Sequence, residues 1–484
     1  MQMTLGIDVA CRAAHQCSLA DESGRFAWSG RRFRTTVADL NQLWGQIPQP
    51  VALTVVMEPT RNAWVPLAAW FRRRGATVVM VPPEQSADLR DYYSKHAKSD
   101  RLDSRMLARL PLLHPEGLQA AEGLGPADAL RRASKLRSSL VKRRNVILAR
   151  LDSYLELLGP SWHAAFGGDL ANITPLRFLA AGYADPHAVR RLGLARLTRF
   201  IWRYSHGAFG EHYAAGILAA AAETLQLWDG ELSYPDLAED IAAEARLALA
   251  LTAEIRDLER KLAALLHQLD PAGILTSVPG VGAIGAAQIL ARLGDPARFR
   301  SLAGARSFSG LVPSLTASGI NGRHGPPTKS GDAALREALF MAANQARRID
   351  PVLAARYHRL MVSCGKHHNS ALCHISTAVL TRIIACWRAG TPYQIRDLDG
   401  TPLTTAQGRA IITQRYRVSD ELRALRRTSH RKTAASRRHQ ESPSAPTPAR
   451  PRTTLQPYPA GPAAACVEPR RRHRPRAGTL RLVR

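Results

Sequence analysis

The sequence predicts an α/β unit over residues 1–115 and a mostly α-helical remainder. Three observations carry this. Short apolar runs alternate with helical stretches up to about residue 110. From about Ala127 a seven-residue spacing of apolar residues replaces that alternation. From residue 271 the pattern is of helices broken by Gly and Pro turns. At 484 residues and 45% hydrophobic, the chain can bury more than one core.

Taken in order, Met3–Asp8, Ala13–Leu19 and Phe26–Phe33 read as strands, with Asp21-Glu22-Ser23-Gly24 as a turn. Thr36–Gln46 is a short helix behind a threonine cap. Val51–Glu58 is a buried strand. Trp64–Arg74 is a helix stopped by Gly75, and Thr77–Val81 is a strand stopped by Pro82-Pro83. An antiparallel hairpin therefore leads, and parallel strands follow. Residues 126–270 hold two long helices around a helical insert. Leu140, Ile147 and Tyr154 recur every seventh residue on the first, as do Leu151 and Leu158. Ile241, Ala248, Ile255, Leu262 and Leu269 do so on the second, with Leu251, Leu258 and Leu265 offset from them. That is a coiled-coil seam, formed either as a hairpin within one chain or between two subunits. The unit at 271–400 is helical. Residues 426–484 are rich in Arg, Ser and Pro, a composition expected to stay disordered.

A formal net charge of +28 points to a polyanionic partner, most simply nucleic acid. The six cysteines form no CxxC pair, which argues against a zinc module or a disulfide framework. Neither a signal pattern nor an apolar run of membrane-spanning length is read from the chain, so no membrane partner and a cytoplasmic, nucleoid-associated location are expected.

Four carboxylates stand out. Asp8 and Glu58 end strands; Asp100 and Asp103 open a helix and, three residues apart, share one face. Each alone has an ordinary explanation, as a turn cap or a first-turn acid favoured by the helix dipole. Together they suit Mg²⁺ or Mn²⁺, the ions that attack on phosphodiesters commonly uses. Lys98, Arg101 and Arg105 surround the helical pair and would hold phosphate.

Further on, Val278-Pro279-Gly280-Val281-Gly282 between helical runs resembles a helix-hairpin-helix, in which Gly280 and Gly282 let the backbone approach phosphate. A Gly-, Ser- and Pro-rich loop is expected from Phe308 to Gly331. Lys329, Arg323 and Arg336 could stabilise charge on phosphorus there, although a plain surface loop explains any one of its serines. His358, His367, His368 and His374 read as helix-start and phosphate contacts rather than zinc ligands.

These motifs in this order resemble the insertion-sequence transposases called the IS one-ten family, related to the Piv invertase. The resemblance rests on Gly6-Ile7-Asp8, Met57-Glu58-Pro59-Thr60, Lys98-Ser99-Asp100 with Leu102-Asp103-Ser104-Arg105, Val278-Pro279-Gly280-Val281-Gly282, Phe308-Ser309-Gly310-Leu311-Val312-Pro313, Ser318-Gly319, Lys329 with Gly331, and Leu335-Arg336-Glu337-Ala338-Leu339. It implies an RNase H-like (RuvC-like) N-terminal domain whose Asp-Glu-Asp-Asp metal site is Asp8, Glu58, Asp100 and Asp103. It also implies a coiled-coil dimerisation element and a helical transposase domain whose nucleophile is Ser318. Donor and target DNA, a bridge noncoding RNA and a homodimer or tetramer are the partners it implies. A metal-dependent junction nuclease without a covalent intermediate and a non-catalytic nucleic-acid-binding protein are the rival readings.

Overall fold

A computed structural model of the chain describes residues 2–49, 52–82, 85–86, 99–113, 118–120, 125, 127–228, 230–318 and 321–426. Apart from Arg426, the basic tail lies outside these residues, as does Lys98.

The first unit is a six-stranded sheet in the order β3-β2-β1-β4-β5-β6. Its strands are β1 (Gln2–Asp8), β2 (His15–Asp21), β3 (Phe26–Phe33), β4 (Ala52–Met57), β5 (Thr77–Met80) and β6 (Gln119–Ala120). β1, β2 and β3 pair antiparallel, and β1, β4 and β5 pair parallel, as the sequence predicts. The short antiparallel β6 beside β5 is an addition; two residues carry no readable period.

Alternation along the strands gives the sheet two faces. Leu5, Ile7, Val55 and Met57 pack with helices α1 (Val37–Gly45) and α2 (Trp64–Arg72) through Leu40, Leu43, Leu67 and Phe71. On the other face, Val56, Val79 and Val81 meet Leu107 and Leu110 of α3 (Asp100–Leu113). α3 lies very close to the sheet because β1 carries a glycine beneath it. A Cβ at Gly6 would stand 2.2 Å from the Ser104 carbonyl oxygen and 2.3 Å from the Ala108 nitrogen.

Helices α4 (Asp128–Leu158) and α9 (Tyr234–Leu269) form an antiparallel hairpin within the chain, the first of the two arrangements left open by the spacing. Arg137 pairs with Glu259, and Arg150 with Glu244, so the partners run in opposite directions. Ile241, Ala248, Ile255 and Leu262 are buried as expected. The second ladder differs: Leu251, Leu258 and Leu265 are half-buried, whereas Ala245, Thr252 and Leu266 are buried. Both rows meet neighbours because the helix packs on more than one partner, which widens its apolar stripe. The insert is α5 (Pro160–Ala165), α6 (Ile173–Ala180), α7 (Pro186–Ser205) and α8 (Glu211–Trp228). Trp162, Phe166, Phe178 and Ile217 join it to Leu151, Leu155 and Ile241 of the hairpin.

The remaining helices are α10 (Ile274–Ser277), α11 (Ala283–Leu293), α12 (Leu302–Ser309), α13 (Ala333–Ala346), α14 (Pro351–His358), α15 (His368–Ala389) and α16 (Thr405–Arg415). α15 corrects one expectation. Over 22 residues it is long and apolar enough, by length and composition, to cross a membrane. Here Ala371, Leu372, Ile375, Val379, Leu380 and Ile383 are fully buried in the core of this unit. The expected loop before α13 is corrected too. It contains an antiparallel hairpin, β7 (Pro313–Ser318) with β8 (Asn321–Pro327). Cross-strand pairing satisfies the backbone groups that a loop would leave to water.

Candidate active site

Ile7 of β1 sits beside Met57 of β4 in the parallel register, so Asp8 and Glu58 follow at the same end of neighbouring strands. Adjacent strands stand about 4.8 Å apart. Asp8 shares a strand face with Gly6, and Glu58 continues the face of Val56; both are faces that α3 covers. α3 runs against β1. Arg101 near its start bonds Ser29 on β3, and Arg109 further on bonds the Gly24 carbonyl, beyond the start of β1. Its first turn therefore lies at the carboxylate end of the sheet. Asp100 and Asp103 extend the stripe Leu107–Leu110 that faces Val56 and Val79. Asp103 is 7% exposed, Asp8 and Glu58 are half-buried and Asp100 is exposed.

The fold thus brings four carboxylate positions to one edge. The side chains themselves do not close on a common point: among the described residues, no three acidic, His or Cys side chains stand close enough to share an ion. The donor type and backbone placement suit Mg²⁺ or Mn²⁺, while the present side-chain orientations do not gather such a site.

Two contacts hold the edge. Ser104 Oγ and Ser18 Oγ are 2.9 Å apart across the α3–sheet interface. His15, on the strand next to Asp8, accepts from Ala10 N–H at Nδ1 and bonds Thr35 at Nε2. Burial lowers its pKa below 6.5, so it is held neutral. No sequence pattern marked Ser18 or His15, and Ser104 appeared only within the Leu102–Arg105 motif; the Ser18–Ser104 and His15–Thr35 pairings join residues distant in the chain.

Ser318 is the last residue of β7, paired with Asn321. At about 3.3 Å per residue it lies roughly 17 Å from the strand's first residue, Pro313. The base of that hairpin is a backbone crossing. Lys329, at φ 55°, donates its N–H to the Gly310 carbonyl, and Cβ atoms at Gly310 or Gly331 would collide with Ser330 or Phe308.

Two family models match the chain: that of the DEDD transposases of IS110 type over residues 5–160, and one described as "Transposase IS116/IS110/IS902 family" over residues 272–358. The chain belongs to the IS110 family of insertion-sequence transposases. It is 27% identical to the 43.6 kDa protein of insertion element IS110 from Streptomyces coelicolor, over 82% of this chain and 97% of that protein. It is 27% identical to the 44.8 kDa protein of IS116 from Streptomyces clavuligerus, over 63% and 75%. The 42 kDa protein of IS900 from Mycobacterium paratuberculosis is 30% identical over 44% and 53%.

Several basic residues of this IS110-family chain have intramolecular partners. Arg101 bonds Ser29, and the Arg105 guanidinium lies 4.6 Å from the Phe26 ring centre. Arg336 donates to the Gly331 carbonyl, which braces the base of the serine hairpin. Arg323 lies on β8, opposite Thr316. Gly280, at φ 82°, is required by packing: a Cβ there would lie 2.2 Å from the Ala342 carbonyl oxygen of α13. Gly282 caps α11 with open space around it. α10 is only one helical turn long, so the Pro-Gly-Val-Gly turn joins unequal helices. His367 caps α15, as expected of a helix start. His368 bonds the Tyr357 hydroxyl, His374 lies 3.1 Å from Lys366 Nζ, and His358 packs edge-on against Tyr416.

Proposed function

We propose that this transposase cuts and rejoins DNA with two centres. Asp8, Glu58, Asp100 and Asp103 hold Mg²⁺ or Mn²⁺, and Ser318 is the nucleophile. The observation that supports the reading is that strand register and helix packing carry the backbone positions of the four acids, distant in sequence, to one end of β1, β4 and α3. The sheet order, with an antiparallel hairpin leading into parallel strands, supports an RNase H-like (RuvC-like) reading of this unit. A bound divalent ion there supplies charge that polarises the scissile phosphate. Ser318 Oγ bonds to phosphorus, the bond from phosphorus to the leaving nucleotide oxygen breaks, and the serine proton passes to that oxygen. A new strand's hydroxyl oxygen then bonds to phosphorus, the Ser318 Oγ–phosphorus bond breaks, and the hydroxyl proton returns to Ser318 Oγ, which joins the DNA. Lys329 and Arg323 carry positive charge in this segment for the phosphate, and Lys98 precedes Asp100 by two residues in the sequence. Family membership and the +28 charge support DNA as a partner; a bridge RNA and a homodimer or tetramer belong to the same proposal and come from the resemblance alone.

Ser318→Ala should abolish the covalent protein–DNA adduct seen on denaturing gels while DNA binding persists. Asp103→Asn should remove Mg²⁺-dependent cleavage by orders of magnitude and the upward shift in melting temperature that Mn²⁺ gives the wild type. An adduct with Ser318→Ala rejects the nucleophile; equal Mn²⁺ stabilisation of wild type and Asp103→Asn rejects the metal site.

A further inference from the structure

A cavity of about 470 Å³ opens in the stretch between the two matched segments and the helix before it, where α4, the loop before α6, the loop after α7 and α9 meet. Arg137 and Arg144 reach it from α4, Arg256 from α9, Asn172 from the cap of α6, and Tyr204 and Phe209 from the end of α7 and beyond. We propose that this cavity binds one nucleotide of a single nucleic-acid strand, with arginines on the phosphate and the aromatic rings beside the base. The inference goes beyond the metal and serine chemistry and does not depend on it.

Charge comes first. Among the described residues, three guanidinium groups line the cavity against one carboxylate, Glu259. That carboxylate is engaged by Arg137, whose Nε and Nη2 donate to the same oxygen at 2.8 and 2.6 Å. The surplus falls on Arg144 and Arg256. Arg144 Nε is buried and, among the described residues, has no hydrogen-bond partner. A buried N–H left unpaired is an energetic deficit that a ligand oxygen removes. Arg256 is exposed and forms no ion pair among the described residues. Two arginines are the usual means of gripping a phosphate with paired, charged hydrogen bonds.

The other walls suit the rest of a nucleotide. Ile173 and Thr174 begin α6 within the lining, and no side chain caps that helix, so its first-turn N–H groups add positive potential. Val141 and Ile255 supply apolar wall beside Tyr204 and Phe209. Base–aromatic contact tolerates any sequence. The volume falls within the roughly 300–1,000 Å³ of small-molecule sites. Arg131, Arg132, Lys135, Lys142 and Arg143 are exposed along α4, a track by which a strand could reach the opening.

The test uses full-length protein and fluorescein-labelled 20-mer RNA and DNA of the same sequence, read by anisotropy across a salt series. The double variant Arg144→Gln/Arg256→Gln should lose about tenfold in affinity for the strand that occupies the cavity and lower the salt slope by about 1. Arg190→Gln/Arg246→Gln, which removes equal charge from exposed sites outside the lining, should lose less than about threefold. Strands carrying 4-thiouridine or 5-iododeoxyuridine should crosslink at Tyr204 or Phe209, and whichever strand does so is the occupant. Equal losses in the two double variants, or crosslinks from neither strand within residues 171–174 or 204–209, would overturn the proposal. Should the pocket double variant melt early, Arg256→Gln alone, at an exposed position, gives the same comparison.

Discussion

A methyl group on Gly6 would meet two backbone atoms of α3, at 2.2 and 2.3 Å, and neither can rotate away. Gly6→Ala must therefore lift the helix that carries Asp103. The expected cost is about 1–3 kcal/mol, typical of overpacking, measured by urea unfolding, with loss of Mg²⁺-dependent cleavage. Full stability and activity in this variant would show that the helix position is not needed. His15 makes a pH prediction. Burial lowers its folded pKa below 6.5, so the unfolded chain binds the proton more readily. This contribution to stability is present above pH 6.5 and is lost as the pH falls toward the folded value. His374 has the same sign, from burial first and then Lys366 and Arg356. The urea midpoint should drop between pH 7.5 and 5, and His15→Gln should flatten that slope. Cys17 stands at the same edge with its thiol pushed up to about 12 by burial, so it contributes no thiolate near neutral pH.

Among elements, the α4–α9 hairpin shows which interactions set stability. Arg137–Glu259 is a partly exposed pair worth roughly 0.2–1 kcal/mol, and Arg150–Glu244 has an exposed arginine whose charge water screens further. The buried contacts weigh more. Thr224 Oγ1 accepts from Trp162 Nε1 at 2.8 Å and lies within hydrogen-bond distance of the carbonyls of Leu158 and Ala220. It ties α8 to α5 and to the end of α4. Thr224→Val keeps the shape but strands the Trp162 N–H, so it should cost about 1–3 kcal/mol. Arg150→Ala, at an exposed pair, should lower the melting temperature far less than Thr224→Val does. If the two variants melt together, the insert is not anchored by that network.

For the whole molecule, the +28 surplus acts on association. Lys and Arg that displace counterions from phosphate make binding fall steeply with salt. If 6–10 phosphates are contacted, affinity for nucleic acid should fall about 10³–10⁵-fold between 50 and 200 mM salt. A nearly flat salt profile would mean that the surplus charge does not face nucleic acid. The acidic edge is set within this basic molecule, so the charge that attracts DNA and the oxygens proposed to hold metal are separate groups.

Apart from the two-residue β6, the strands and helices of the first unit were legible from the sequence alone, because each follows from local period and punctuation: apolar runs closed by Asp8, Glu58, Gly75 and Pro82-Pro83. The order of the motifs was equally legible and pointed to the family that the comparisons show. Only the tertiary structure decided that the seven-residue ladders close on each other within one chain, since one seam pattern serves a hairpin and a dimer alike. The same holds for Gly280 and Arg336, which face a helix backbone and a carbonyl inside the protein where their residue types suggested phosphate. Likewise, Asp8, Glu58, Asp100 and Asp103 share an edge because of strand register and the closeness that Gly6 permits, and a linear chain does not encode either as a local pattern.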